Sequence, residues 1–286
     1  MYFDASNPYH RYRMHYESSH QLSVPELIAR GSVDAHTAAI IWYLLEHRAS
    51  YIIAGPTDPT PGVGKTTTLN ALLPFYPTGT GLVYTLGMYE DFAFVNEVPP
   101  AETTVLANEV SDHLVIYMWG RPARKYLRLP AQGFAIATSC HADTLTDVLA
   151  ILTNDIKLQP NEIQQIQLIV NIGLHGRRGQ QQRRWLTTHF VPPVASPDAG
   201  DTNGLPGKHA VPVQMISCWD ATTDTFVPPV PEVVAAMAAW VGVTPEVFQA
   251  EVARRAQTLT DLAAQSADQQ DTIIAVQAFR DTTGGL

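Results

Sequence analysis

Ser50-Tyr51-Ile52-Ile53-Ala54-Gly55, then Gly62-Val63-Gly64-Lys65-Thr66-Thr67-Thr68, then Leu69-Asn70-Ala71-Leu72-Leu73 decide the fold. The first run is short and apolar and predicts a buried strand; the last predicts the start of a helix. Strand, glycine-rich loop ending in Gly-Lys-Thr, then helix is the order of a phosphate-binding loop. Glycines let backbone N–H groups turn inward on phosphate, and a following helix adds its partial positive charge. Gly62, Val63, Gly64, Lys65, Thr66 and Thr67 are the predicted nucleotide contacts. Lys65 would reach the β- and γ-phosphates of ATP, and the Thr66 hydroxyl would ligate Mg²⁺.

The spacing departs from the usual one. Gly-x-x-x-x-Gly-Lys would put the first glycine at position 59, which is Pro59. The fitting glycine is Gly55, with Asp58-Pro59-Thr60-Pro61 inserted and two prolines stiffening the longer loop. A chance Gly-Lys-Thr is the competing reading, and the flanking strand and helix both stand against it.

Downstream, Gly81 to Leu86 predicts a strand that delivers Tyr89-Glu90-Asp91 at its end, where ligands of open α/β sheets gather. Thr103 to Glu109 is an apolar run ending in an acid, the arrangement that places a carboxylate near Mg²⁺ or the attacking water; Asp112 is a second candidate. Leu114 to Trp119 predicts a further strand before the basic Arg121, Arg124, Lys125 and Arg128. Gly133 to Ser139 predicts another, ending at Cys140-His141-Ala142-Asp143-Thr144, with a helix from Asp143 or Thr144 through Leu152. Strands alternating with helices predict a parallel α/β core in which three strand ends converge on the phosphate loop. Upstream, Ser23, Pro25 and Glu26 predict a capped helix ending at Gly31, and a second helix starts near Asp34. Residues 1 to about 20 interleave Tyr, His and Arg, which reads as a lead-in segment or as a basic arm.

The 286 residues suffice for one large domain or two small ones, and 45% apolar content supplies a core. A net charge of −9 argues against a general nucleic-acid binder. Two cysteines, Cys140 and Cys218, imply no disulfide framework. No apolar run approaches the ~18 residues of a membrane span, so a cytoplasmic protein is expected.

Past residue 155, Pro160 starts a short helix, Ile166 to Leu174 is strand-like, and Arg177, Arg178, Arg183 and Arg184 flank a Gly-Gln turn. That basic turn reads either as a solvated hairpin or as a surface facing a neighbour's nucleotide or an acidic partner. Residues 192–212 predict a long loop, Met215 to Asp220 a strand, and Pro231 to Val241, Thr244 to Ala264 and Thr272 to Phe279 predict helices. The resulting division is lead-in helices over 1–48, a core over 49–155 and a C-terminal part over 156–286.

The order of these motifs resembles the type II/type IV secretion ATPases, closest to the archaeal and tight-adherence pilus branch. Leu27 to Val33 with Ala38 to Leu45 resembles the lead-in of that branch, Tyr89-Glu90-Asp91 its acidic box, Ala107-Asn108-Glu109-Val110-Ser111-Asp112 its second acidic motif, and Thr138-Ser139-Cys140-His141-Ala142-Asp143 its histidine box. Arg177 to Trp185 and Phe226 to Leu262 fit its C-terminal part, so the likeness covers about residues 22 to 262. It implies a RecA-like phosphate-loop core with a parallel-rich sheet and a smaller, mainly helical C-terminal part. It implies an ATP-hydrolysing motor with Lys65, Glu109, Glu90 and His141 as catalytic residues and Thr66, Asp91 and Glu109 at Mg²⁺. His141 would sense the γ-phosphate. The implied assembly is a homo-oligomeric ring, expected to be a hexamer, working on an inner-membrane platform protein at the cytoplasmic membrane face, with no direct nucleic acid partner.

The chain departs from the family at Asn108 (glycine there), at Ser111 (arginine there) and in the short span between Asp91 and Glu109, where the family carries an arginine-bearing segment for which Arg121 and Arg124 are the candidate substitutes. No counterpart of the family's large N-terminal domain lies within these residues. The alternative is therefore a nucleotide-binding, weakly hydrolysing regulatory or structural homologue. A nucleic-acid-translocating ATPase would share the core but gains little support from the net charge of −9.

Overall fold

The computed structural model describes residues 21–56, 62–177, 180–193 and 211–283. The basic segment 1–20, the inserted prolines, Arg178 and most of the 192–212 loop lie outside the described residues. Two short helices come first. In α1 (Val24–Ala29) the Ser23 hydroxyl accepts the Glu26 N–H at 3.1 Å while the Glu26 carboxylate accepts the Ser23 N–H at 2.9 Å, the reciprocal cap expected from the sequence. In α2 (Ala35–Glu46) Asp34 caps Thr37 N–H at 3.0 Å. Thr37 to Leu45 are all buried, so α2 is a core helix, apolar around its circumference.

The order continues β1 (Tyr51–Gly55), α3 (Lys65–Ala71), β2 (Gly81–Tyr84), β3 (Thr103–Val110), α4 (Gly120–Leu127), β4 (Ala135–His141), α5 (Leu145–Ala150), α6 (Pro160–Ile163), β5 (Leu168–His175), β6 (Gln182–Phe190), β7 (Gln214–Asp220), β8 (Thr225–Val227), α7 (Pro231–Val241), α8 (Pro245–Ala264) and α9 (Gln269–Thr283). One eight-stranded sheet runs β2-β3-β4-β1-β5-β6-β7-β8. Its first five strands are parallel and the last three antiparallel. The short β1 is flanked on both sides and buried throughout, as a central parallel strand must be.

Helices cover both faces. One core joins β1, β5 and β6 to α1, α2, α3, α7 and α8; the other joins β1, β3 and β4 to α4, α5 and α6. The C-terminal part holds more helix than strand among its described residues, and its strands continue the central sheet, because β5 finds its hydrogen-bond partner in β1; α7 to α9 form a helical layer. The expected strand over 114–119 is a loop. β3 already has β2 and β4 on its two sides, so no edge is left to pair with, and a single bridge, Val110 to Met118, remains. Val115, 86% exposed, tips this loop.

The helical layer is fastened by charge. Arg255, 3% exposed, forms ion pairs with Glu46 at the end of α2 and with Glu251, the latter at 2.6 Å. Arg280 reaches the other Glu46 oxygen at 3.0 Å and donates to the carbonyls of Phe75 and Tyr76. Trp42 stacks on Phe75 with ring centres 5.1 Å apart beneath this cluster.

Glu46→Ala takes one carboxylate from buried Arg255, which keeps Glu251, and the carboxylate partner from half-buried Arg280, which keeps two carbonyls; it is expected to destabilise the fold by about 2–4 kcal/mol in denaturant unfolding. Glu251→Ala, which removes only the more exposed partner, is expected to cost less. His189 in β6 is a second buried group, its pKa pushed from 6.5 down to about 4 by burial. Unfolding restores the ordinary value, so the unfolded chain holds more protons between the two. Stability is therefore expected to fall as pH drops from 6.5 to 4, by up to about 3 kcal/mol, and His189→Gln should flatten that part of the curve.

Candidate functional site

β1, β3 and β4 run in the same direction, so Gly55, Glu109 and His141 all arrive at the same sheet edge. Gly55 ends β1 in a place too tight for any side chain: a Cβ there would lie 2.7 Å from the Ile172 carbonyl oxygen and 3.0 Å from Val63. Gly64 stands just before α3 with φ +100°, a left-handed conformation that favours glycine. Lys65 follows as the first residue of α3 and turns inward, only 9% exposed.

The Lys65 ammonium donates to the carbonyls of Gly55 and Pro56, both at 3.3 Å, and to His141 Nδ1 at 3.0 Å. On the far side of the imidazole, Nε2 meets a carboxylate oxygen of Glu109. Because Lys65 can only donate, the network assigns the imidazole proton to Nε2 and the lone pair to Nδ1. The three side chains thus form a line, ammonium to imidazole to carboxylate. Burial pushes the Lys65 pKa down, opposed chiefly by the negative charge of Glu109.

Glu109 reaches His141 because β3 is bulged. Ala107 pairs with Thr138 and Val110 with Cys140, so β3 carries one residue more than β4 across this span. Such bulges re-aim side chains beside active sites. The Ser139 hydroxyl clasps the bulge by donating to the Asn108 carbonyl at 2.8 Å. Cys140, between Ser139 and His141, is buried, and its thiol pKa is pushed up to about 12.

Other predicted residues fall differently. Thr66 and Thr67 sit half-buried on the first turn of α3, and Val63 is buried in the core. Glu90 and Asp91 do not join Lys65. Both Glu90 oxygens accept N–H groups of their own turn, from Leu86 and Phe92 at 2.8 Å, and Asp91 accepts from Ala93 at 2.9 Å. They follow edge strand β2, with β3 and β4 between them and β1. Arg124 donates to the Ile156 carbonyl, a bond within the fold. A cavity of about 470 Å³ opens beside His141, lined by Ser111, Asp112, Trp119 and by Asn154 and Asp155 of a π-helical turn that follows α5.

One residue of this region, read in the sequence only as part of a basic turn, makes a contact that no local pattern signalled. Arg183 of β6 donates Nη2–H and Nε–H to the Gly62 carbonyl at 3.0 and 3.3 Å. Its neighbour Arg184, 4% exposed, is bound instead to Asp224 at 3.1 Å and lies against Gly31. The first contact spans 121 positions, beyond any sequence periodicity.

A buried ammonium beside a left-handed glycine fits a phosphate, and the Thr66 hydroxyl on the same first turn of α3 is an oxygen donor of the kind Mg²⁺ takes. Among the described residues no group of three or more His, Cys, Asp or Glu could hold a metal by itself.

No family model matches the chain. Over 54 residues, 19% of this chain, it is 46% identical to an uncharacterized protein, MJ0900, of Methanocaldococcus jannaschii, and it spans 9% of that protein's length. The crystal structure of the VirB11 ATPase from the Brucella suis type IV secretion system, in complex with sulphate, is similar with a TM-score of 0.37 and 18% identity over 52% of this chain and 50% of that one. A likeness that partial fixes neither fold family nor function.

Gly55→Ala is expected to lose about 1–3 kcal/mol of stability through the forced contact with Ile172. Gly62→Ala, where a Cβ meets nothing within 4 Å, should stay within about 0.5 kcal/mol of the parent. Urea midpoints of the two variants check the pair.

Proposed function

We propose that this chain binds Mg-ATP and hydrolyses it as a motor subunit of a type II/type IV secretion or type IV pilus-like system. The observation that carries the reading is the Lys65–His141–Glu109 line at the end of β1 and the start of α3. A lysine on the first turn of α3, with a carboxylate and a histidine from the ends of β3 and β4, supplies parts that phosphoryl transfer to water uses. The order of the sequence motifs supports the secretion class, and the parallel part of the sheet is compatible with a phosphate-loop core.

In this reading Lys65 leaves the Gly55 and Pro56 carbonyls and neutralises the phosphate chain. His141 Nδ1, freed of Lys65, becomes a proton acceptor facing the same space. Glu109 holds the imidazole through Nε2 and orients or activates water. Thr66 and Glu109 would hold Mg²⁺, which supplies charge neutralisation on the β- and γ-phosphates. Glu90 and Asp91 would have to leave their own turn to take part, so their roles at the metal remain proposals of the sequence. The protein would act as a ring of identical subunits, expected to be six, docked on a membrane-embedded platform protein at the cytoplasmic face.

A second reading is a nucleotide-binding subunit with weak turnover. The local bonding of Glu90 and Asp91 favours it, because it leaves Glu109 as the one acid of the predicted set in contact with the Lys65–His141 pair.

Phosphate release from Mg-ATP by the parent, Lys65→Ala and Glu109→Gln separates the two. The motor reading expects turnover in the parent and a loss of at least about a hundredfold in both variants. Tight ATP binding without turnover, abolished by Lys65→Ala, would establish the second reading. Absence of binding in the parent would refute both.

A further inference from the structure

The Lys65–His141–Glu109 line has no net charge: one cation, one neutral ring, one anion. Asp143 adds negative field at Lys65. By itself such a site attracts a polyphosphate weakly, and in a chain with 27 acidic and 18 basic residues the surroundings do not help. The missing positive charge stands on the loop. Arg183 is held there by one carbonyl, that of Gly62, and no carboxylate pairs with it among the described residues. Arg184 beside it shows the contrast, its guanidinium bonded to Asp224 and Gln182.

The placement is built in by the strand. Asn171 pairs with Thr187 and Ile172 with Trp185, so β6 carries one extra residue, Leu186, packed on Gly173. This bulge sets Arg183 opposite Leu174, two residues beyond the Ile172 that backs Gly55. The Arg183 Cδ passes 3.3 Å from where a Cβ at position 64 would stand, so Gly64 also leaves room for this side chain.

We propose that Arg183 is a phosphate-binding residue of this site, supplied by the same chain rather than by a neighbour. A planar guanidinium presents a fork matched to phosphate oxygens, and exchanging one neutral carbonyl for an anionic oxygen strengthens its hydrogen bonds. Lys65 and Arg183 then take the phosphate chain from two elements, α3 and the β5–β6 hairpin. This inference rests on the phosphate-loop reading above.

The test is calorimetric titration of the parent, Arg183→Gln, Arg183→Lys and Lys65→Ala with ATP at several NaCl concentrations. Arg183→Gln is expected to weaken ATP about tenfold or more, with Arg183→Lys intermediate. Its affinity should also depend less steeply on salt than the parent's, a change that a mere strut for the loop would not produce. An affinity within about twofold of the parent overturns the inference, and so does a weaker affinity with an unchanged salt slope. In either case loss of binding in Lys65→Ala would leave the phosphate-loop reading standing. No ATP binding by the parent, or full binding by Lys65→Ala, would overturn that reading and this inference with it.

Discussion

A buried ammonium group needs acceptors on every side that water cannot reach, and this requirement organises the centre of the molecule around Lys65. Its acceptors come from three places in the chain: the end of β1, the residue beyond it, and the last residue of β4. The imidazole that serves as one acceptor must itself be fixed, and the carboxylate that fixes it reaches it through a bulge in β3. Three strands thus have to share direction, register and length for one side chain to be satisfied. The cost of leaving any of these groups unpaired in a low-dielectric site is what keeps the strand ends together.

The outer layer follows a different rule. α2 is apolar all round and cannot face water, so α8 and the other C-terminal helices are needed to cover it. Shape alone would let those helices slide. The Glu46 carboxylate, gripped by Arg255 and Arg280, permits one arrangement, because any other leaves buried charge without a partner. The N-terminal helix is joined to the C-terminal ones by a hydrogen bond: the hydroxyl of Ser23, the cap of α1, donates to the Ala267 carbonyl at 2.6 Å, ahead of α9.

What the sequence disclosed is what local chemistry controls. The capping residues of α1, the starts of α2 and α8, the apolar run of β1 and the Gly-Lys-Thr turn into α3 are each written within a few residues, and the structure has them at those places. Glu109 and His141 could be read because motif order and a parallel sheet bring strand ends to one edge. Strand order was not readable in the same way. It puts two strands between the Glu90 turn and β1, it leaves the 114–119 segment a single bridge, and it adds β8 at the sheet's end. The separate contacts of Arg183 and Arg184, which the sequence read together as one basic turn, were not readable for the same reason. Adjacent positions with the same side chain diverge because a bulge and a contact more than a hundred residues away assign one to the loop and the other to Asp224.

Cys140 sits between two residues of the candidate site, yet burial keeps its thiol protonated, with a pKa pushed up to about 12. Thiolate is the form that reacts with oxidants and alkylating reagents, and at neutral pH this sulfur supplies almost none. Burial therefore protects the strand that carries His141 from oxidative damage. Cys218, the other cysteine and the more accessible one, lies in β7 on the antiparallel side of the sheet, where modification would leave the Lys65 line untouched.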